Sequence, residues 1–332
     1  MQEIVSLFYA VPAGFSEWLG RLPWADIVVV LFFVALGGSL GSFLNVVAHR
    51  LPRGESVVFG GSRCPACGAA IRTRDNIPVL GWLLLCGHCR DCNAPIAIRY
   101  PLVEAASATL VGIVASVEVL SGGANLPMHS GQWNAGRRGI DLLLFDPDWH
   151  LLGICLLHCA TLLTLLAWAI VEHDGQTVPR RWLQATLLLV VVAAMRWPSL
   201  QPVGLVPQVP EWFAAMDWRR GLVVSAAGIA VGWLSGWLVC WLTSMGQNPP
   251  GVKGCLMLIG ATLGWQAAIT IAVFLTVVCV VRVSQWGRPS AGGIVQRPFM
   301  AMNLVLSAAF YLLLWRWIVV ATAVGWQWLG NP

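Results

Sequence analysis

The chain has 332 residues, with 20 Lys and Arg against 15 Asp and Glu, a net charge of +5. Charged residues make up 11% and hydrophobic residues 58%, whereas ordinary soluble domains carry about 25% charge. Together with 19 Trp, this excludes a soluble globular protein, a disordered chain and a basic nucleic-acid binder, and it points to a polytopic membrane protein with Trp at its interfaces.

A membrane-spanning helix needs about 20 mostly apolar residues. The opening segment, 4–19, is apolar with aromatics and reads as interfacial. The N-terminus carries Glu3 and no basic n-region, so it is not expected to be a cleaved signal peptide. The first clear span is 27–47, followed by a polar stretch over 49–99. Spans are then expected at 101–120, 150–171, more weakly 183–195, 222–243, 255–283 and 302–326. As one helix the 255–283 run would be about 43 Å long at about 1.5 Å per residue, too long unless steeply tilted. Charge suggests how it divides. The stretch 49–99 carries seven Arg (Arg50, Arg53, Arg63, Arg72, Arg74, Arg90, Arg99) against Glu55, Asp75 and Asp91, so it belongs in the cytoplasm. Alternation from there places Arg282, Arg288 and Arg297 on the same side only if 255–283 crosses twice, with a break near Gly264. The fold expected is therefore an all-α polytopic membrane protein of about eight membrane segments with a small cytoplasmic zinc-ribbon-like insertion. Its parts are an N-terminal segment and first helix (1–48), the insertion (49–100) and a membrane helical domain (101–332). The loop 121–149, with Asp141, Asp146 and Asp148, reads as solvated.

The ten Cys are Cys64, Cys67, Cys86, Cys89, Cys92, Cys155, Cys159, Cys240, Cys255 and Cys279. Two CxxC pairs, Cys64/Cys67 and Cys89/Cys92, stand in the cytoplasmic insertion. Each can offer two thiolates from one tight turn, and two such turns make a closed S4 site suited to a structural Zn²⁺. A reducing compartment disfavours disulfides there. Cys86 and His88 lie beside the second pair as alternative ligands.

Several strings surround this cluster in a fixed order. Gly41-Ser42-Phe43-Leu44-Asn45-Val46-Val47 and His49-Arg50-Leu51-Pro52 precede it. Asp75-Asn76-Ile77-Pro78-Val79-Leu80-Gly81-Trp82 lies between the pairs, and Arg99-Tyr100-Pro101-Leu102-Val103-Glu104 follows. Over about residues 37–105 the chain closely resembles the N-terminal half of bacterial type IV prepilin peptidases. Further on, Gly260-Ala261-Thr262-Leu263-Gly264-Trp265 is similar to the family's GAxLGW segment, and Arg297-Pro298-Phe299-Met300-Ala301 to its GPFLA-like segment. The resemblance implies an eight-span inner-membrane aspartic endopeptidase. Such an enzyme removes basic leaders from type IV prepilins or type II secretion pseudopilins, and many members then N-methylate the new N-terminus with S-adenosylmethionine. It also implies a lipid-bilayer setting and no nucleic-acid partner.

Aspartic proteolysis needs two carboxylates, one ionised and one protonated. The family draws one from an IDxxxxxxP segment and one from a GxGDxK segment. The first corresponds to 170–179, and counting back from Pro179 places Glu172 at the Asp position, with Asp174 two residues later. Counting back from Gly260-Ala261 places Val252 at the second Asp, and a shift by one places Gly251 there. Neither is an acid, and 218–332 contains no Asp or Glu. Proteolysis is therefore expected to be impaired. The candidate catalytic residues are Glu172 and Asp174, either as a local pair or with an acid from elsewhere. The alternative is a zinc-bearing membrane scaffold that binds pilin precursors without cutting them, or a methylase-only remnant.

Single residues add further expectations. Glu104 is expected at the cytoplasmic edge, paired with Arg99 or Arg50. Glu118 is expected near the outer end of its span, in reach of water. His158 sits beside Cys155 and Cys159 and is expected to pack, and His173 stands beside Glu172.

Overall fold

The structure, a computed structural model, describes residues 24–57, 61–126, 143, 147–201, 217–243, 250–286, 301–315 and 317–318. The expected opening segment 4–19, most of the loop 121–149 and the 297–300 end of the GPFLA-like segment lie outside them.

Nine α-helices carry the described chain: α1 Trp24–Arg50, α2 Leu80–Leu84, α3 Arg99–Ala115, α4 Trp149–His173, α5 Arg180–Arg196, α6 Asp217–Leu242, α7 Pro250–Leu263, α8 Trp265–Trp286 and α9 Ala301–Trp315. All but α2 match the eight segments read from hydropathy. Among the described residues four stretches are long and apolar enough to cross a bilayer by themselves: Asp26–Arg53, Arg99–Leu120, Trp149–His173 and Trp218–Leu242. The 29-residue apolar run divides at Gly264, whose φ of 96° no β-carbon-bearing residue adopts easily. The two pieces, α7 and α8, both pack on α6.

Helix α4 is the centre of the bundle. Most of its surface is buried, against a minority for α1 and α6, and α1, α3 and α7 pack around it. A helix apolar on all faces is what a fully surrounded position requires. Its start is fixed by Asp148, whose side chain accepts hydrogen bonds from the N–H groups of His150 and Leu151. Asp148 is thus a helix cap, where the sequence suggested only a solvated loop. At the other end Gly175, at φ 72°, turns the chain out of the helix.

Helices α6 and α7 run antiparallel at backbone contact. Gly228, Gly232 and Gly236 recur every fourth residue along one face of α6. They lie against Gly260, Leu256 and Lys253 of α7 respectively, where any Cβ would overlap main-chain atoms. Without a hydrophobic drive between helices in lipid, such close approach supplies the dispersion contact that holds them. Gly260→Val should therefore lower stability by about 3 kcal/mol or more, measured as a fall in the unfolding midpoint of the detergent-solubilised protein.

A candidate one-carboxylate site beneath a tetracysteine domain

The insertion is built from two repeated turns. In the first, Cys64 accepts from the Gly68 N–H and donates to Ala69; in the second, Cys89 accepts from the Asn93 N–H and donates to Ala94. Each turn needs a left-handed residue after its second Cys, and Gly68 (φ 70°) and Asn93 (φ 58°) supply it. Isolated bridges, Arg63 with Ala70 and His88 with Pro95, close each turn. The sulfurs of Cys64, Cys67, Cys89 and Cys92 converge within 4.8 Å of one another. Cys64 Sγ lies 3.8 Å from Cys92 Sγ, the edge of a tetrahedron with metal–sulfur bonds of about 2.3 Å. The donor set therefore fits a four-coordinate Zn²⁺.

The backbone N–H groups of Cys67 and Ala66 draw the Cys64 thiol down to about 7. The Ala94 N–H acts the same way on Cys92, but burial and the three neighbouring thiols push it up to about 12. A shared cation would remove that conflict by binding all four as thiolates. Cys86 is not part of the cluster, and its carbonyl accepts from the His88 ring at 2.7 Å. The guanidinium of Arg90 forks onto Asp75 at 2.5 and 2.7 Å and holds that carboxyl below its ordinary value. Arg72 reaches Asp91 at 3.2 Å. These pairs tie the second CxxC turn to the segment between the pairs.

Three polar contacts fasten the insertion to the membrane helices. Asn45 on α1 donates to the Tyr100 carbonyl at 3.2 Å. Glu104 on α3 accepts from the Val79 N–H at 2.6 Å, which holds Val79 at φ 61°, a conformation costly for a β-branched residue. Glu104 was expected to pair with Arg99 or Arg50. Its carboxylate instead satisfies a backbone donor in the strained turn, and Arg99 goes elsewhere. Arg99 donates to both carboxylate oxygens of Asp174, at 2.5 and 2.6 Å, and so joins the end of the insertion to the end of α4.

Glu172 is the last-but-one residue of α4 and is 8% exposed. Its carboxylate faces the first turn of α7, the positive end of that helix dipole. A Cβ placed on Gly251 would fall on Glu172 Oε1, with Oε2 3.0 Å away. Val252 turns instead into the apolar core at 1% exposure, and Lys253 lies against Gly236 of α6. Glu172 and Asp174, close in sequence, are thus placed in different surroundings. Glu172 is buried against α7, whereas Asp174 is one-quarter exposed, between Arg99 and the His173 ring at 3.7 Å. Sequence reasoning did not pick out Arg99 as a partner of this region, because 75 residues separate it from Asp174.

A second buried polar pair lies inside the bundle. His158 Nδ1 and Glu118 Oε1 are 2.6 Å apart, both side chains at most 1% exposed, with the His158 ring beside Trp315. Glu118 was expected to reach water, but a widened helical turn over Ser116–Leu120 rotates it into the bundle against α4.

Residues 35–117 match the family described as the Bacterial Peptidase A24 N-terminal domain. The chain is 31% identical to the prepilin leader peptidase/N-methyltransferase of Pseudomonas aeruginosa, over 71% of this chain and 73% of the relative. It is 29% identical to that of Stutzerimonas stutzeri, over 90% and 94%. A shorter match to the Myxococcus xanthus protein of the same name is 51% identical and covers 22% of each chain. No solved structure gives a significant match.

The purified protein should carry one zinc per chain by elemental analysis, and Cys64→Ser and Cys92→Ser should each lower that content at least tenfold. Arg99→Ala should cost about 1 kcal/mol, the upper range for a partly exposed pair, read as a lower unfolding midpoint in detergent.

Proposed function

Because this chain belongs to the prepilin leader peptidase/N-methyltransferase family, we propose that it receives type IV prepilins or type II secretion pseudopilins at the cytoplasmic face of a bacterial inner membrane and holds their leaders without hydrolysing them. The arginine-rich insertion, 49–100, lies on the cytoplasmic side, carries a structural zinc, and stands beside the membrane helical domain, 101–332. Leader peptides are thereby delivered to the ends of α4 and α7.

The observation that carries this reading is that Glu172 faces a residue without a side chain, Gly251, in a chain with no acid after Asp217. Hydrolysis of a peptide bond by paired carboxylates divides two proton transfers between them. The ionised carboxylate takes a proton from water as the oxygen adds to the scissile carbonyl. The protonated partner then gives its proton to the leaving nitrogen, and the C–N bond breaks to a carboxylic acid and a free amine. Glu172 can perform one of these roles. Asp174, engaged by Arg99, is poorly placed for the other.

A second reading is favoured by the match over 35–117, which covers the tetracysteine domain. The resemblance associates that domain with members that also methylate. Here the chain would transfer a methyl group from the sulfonium of S-adenosylmethionine to the N-terminal amine of a pilin already cut by another peptidase, releasing S-adenosylhomocysteine and a proton. The residues that would bind this donor are not assigned.

In membrane vesicles containing a prepilin with its leader, the wild-type chain should crosslink to the precursor and leave the leader attached, while an active prepilin peptidase removes it. Leader removal that disappears in Glu172→Ala would defeat this reading.

A further inference from the structure

The two landmarks for the missing second carboxylate disagree. The GA landmark, Gly260-Ala261, points to Val252, but the GxGDxK pattern has its Asp two residues before the Lys, and Lys253 is the only lysine in the chain. That spacing selects Gly251. Successive residues of a helix point about 100° apart, so only one of the two positions can face α4. Val252 is packed in the apolar core, and Lys253 faces α6. Position 251 alone is aimed at Glu172.

We propose that Gly251 holds the position of the second carboxylate, and that Glu172 and Gly251 are an exchanged pair, the longer acid occupying the space that a side chain at 251 would fill. The overlap is what identifies the exchange. A Cβ at 251 would lie 1.4 Å from Glu172 Oε1, so a side chain restored at 251 must displace the Glu172 carboxylate from its present place. Shortening Glu172 to Asp withdraws its carboxylate by about one carbon–carbon bond, about 1.5 Å. An Asp can then stand at 251 with its carboxyl beside that of residue 172. Two carboxylates so placed cannot both be ionised at neutral pH and share one proton, the state in which one activates water and the other protonates the departing amine. The site is thus proposed to be closed to proteolysis by two coupled changes, since a side chain at 251 and the present place of the Glu172 carboxylate exclude each other.

This inference rests on the reading of a non-hydrolysing site, and the following experiment separates the two. Wild type, Glu172→Asp, Gly251→Asp, the double variant Glu172→Asp/Gly251→Asp and the control Glu172→Asp/Val252→Asp are prepared as full-length protein in membranes. Each is assayed for leader removal from a prepilin and for its unfolding midpoint. Gly251→Asp alone should lower the midpoint by about 5 °C and stay inactive. Adding Glu172→Asp should recover the midpoint and raise cleavage at least about 100-fold over wild type, the scale of a misplaced catalytic group. An unchanged midpoint in Gly251→Asp, or cleavage by that single variant equal to that of the double, overturns the exchange. So does cleavage by the Val252 control in place of the Gly251 variant, or a stably folded double variant that does not cut. Cleavage by wild type would defeat the non-hydrolysing reading alone, and the midpoints of the four Glu172 and Gly251 proteins would then decide the exchange.

Discussion

Helix α7 can lie against α6 only because α6 presents glycine at 228, 232 and 236. The rest of the site depends on that approach. It brings the N-terminal turn of α7 over the C-terminal end of α4 and turns Gly251 toward Glu172, Val252 into the core and Lys253 toward α6. A helix held a few ångströms further out would leave Glu172 open to water, and its rotation would no longer be fixed by backbone contact. The Gly-based seam is the membrane solution to helix association, where apolar side chains gain nothing by leaving lipid.

The insertion is positioned by polar contacts that reach across the chain. Asn45 on α1, Val79 in the strained turn and Arg99 at the start of α3 each meet a partner on another element. Tyr100 and Glu104 belong to the strings that carried the family resemblance, which gives those strings a physical meaning. They are two halves of the same hydrogen bonds: Asn45 with Tyr100, and the IPVLGW turn with Glu104. The four converging cysteines draw the two CxxC turns together, Arg90 and Asp75 link the second turn to the segment between the pairs, and Glu104 ties that segment to α3.

The buried acids Glu172 and Glu118 are handled differently. Glu172, at the end of α4, meets the positive end of a helix dipole. Glu118, deep between α3 and α4, meets His158. A buried carboxylate in a membrane needs such a partner, since no water is present to solvate it.

Hydropathy and charge by themselves determined the eight apolar helical segments and the break at Gly264, because burial in lipid is an additive property of local sequence. Spacing determined the four cysteines, because two CxxC turns need nothing beyond themselves to present four sulfurs. The partners of the isolated acids were not legible. Glu104, Glu118 and Asp174 each found a group 25, 40 and 75 residues away, and pairing at that distance is set by how helices pack. The spacing from Gly260-Ala261 placed Val252 at the second Asp position, with Gly251 reached only by a shift of one. Only the rotation of α7, fixed by its glycine seam with α6, decided which of them faces the carboxylate.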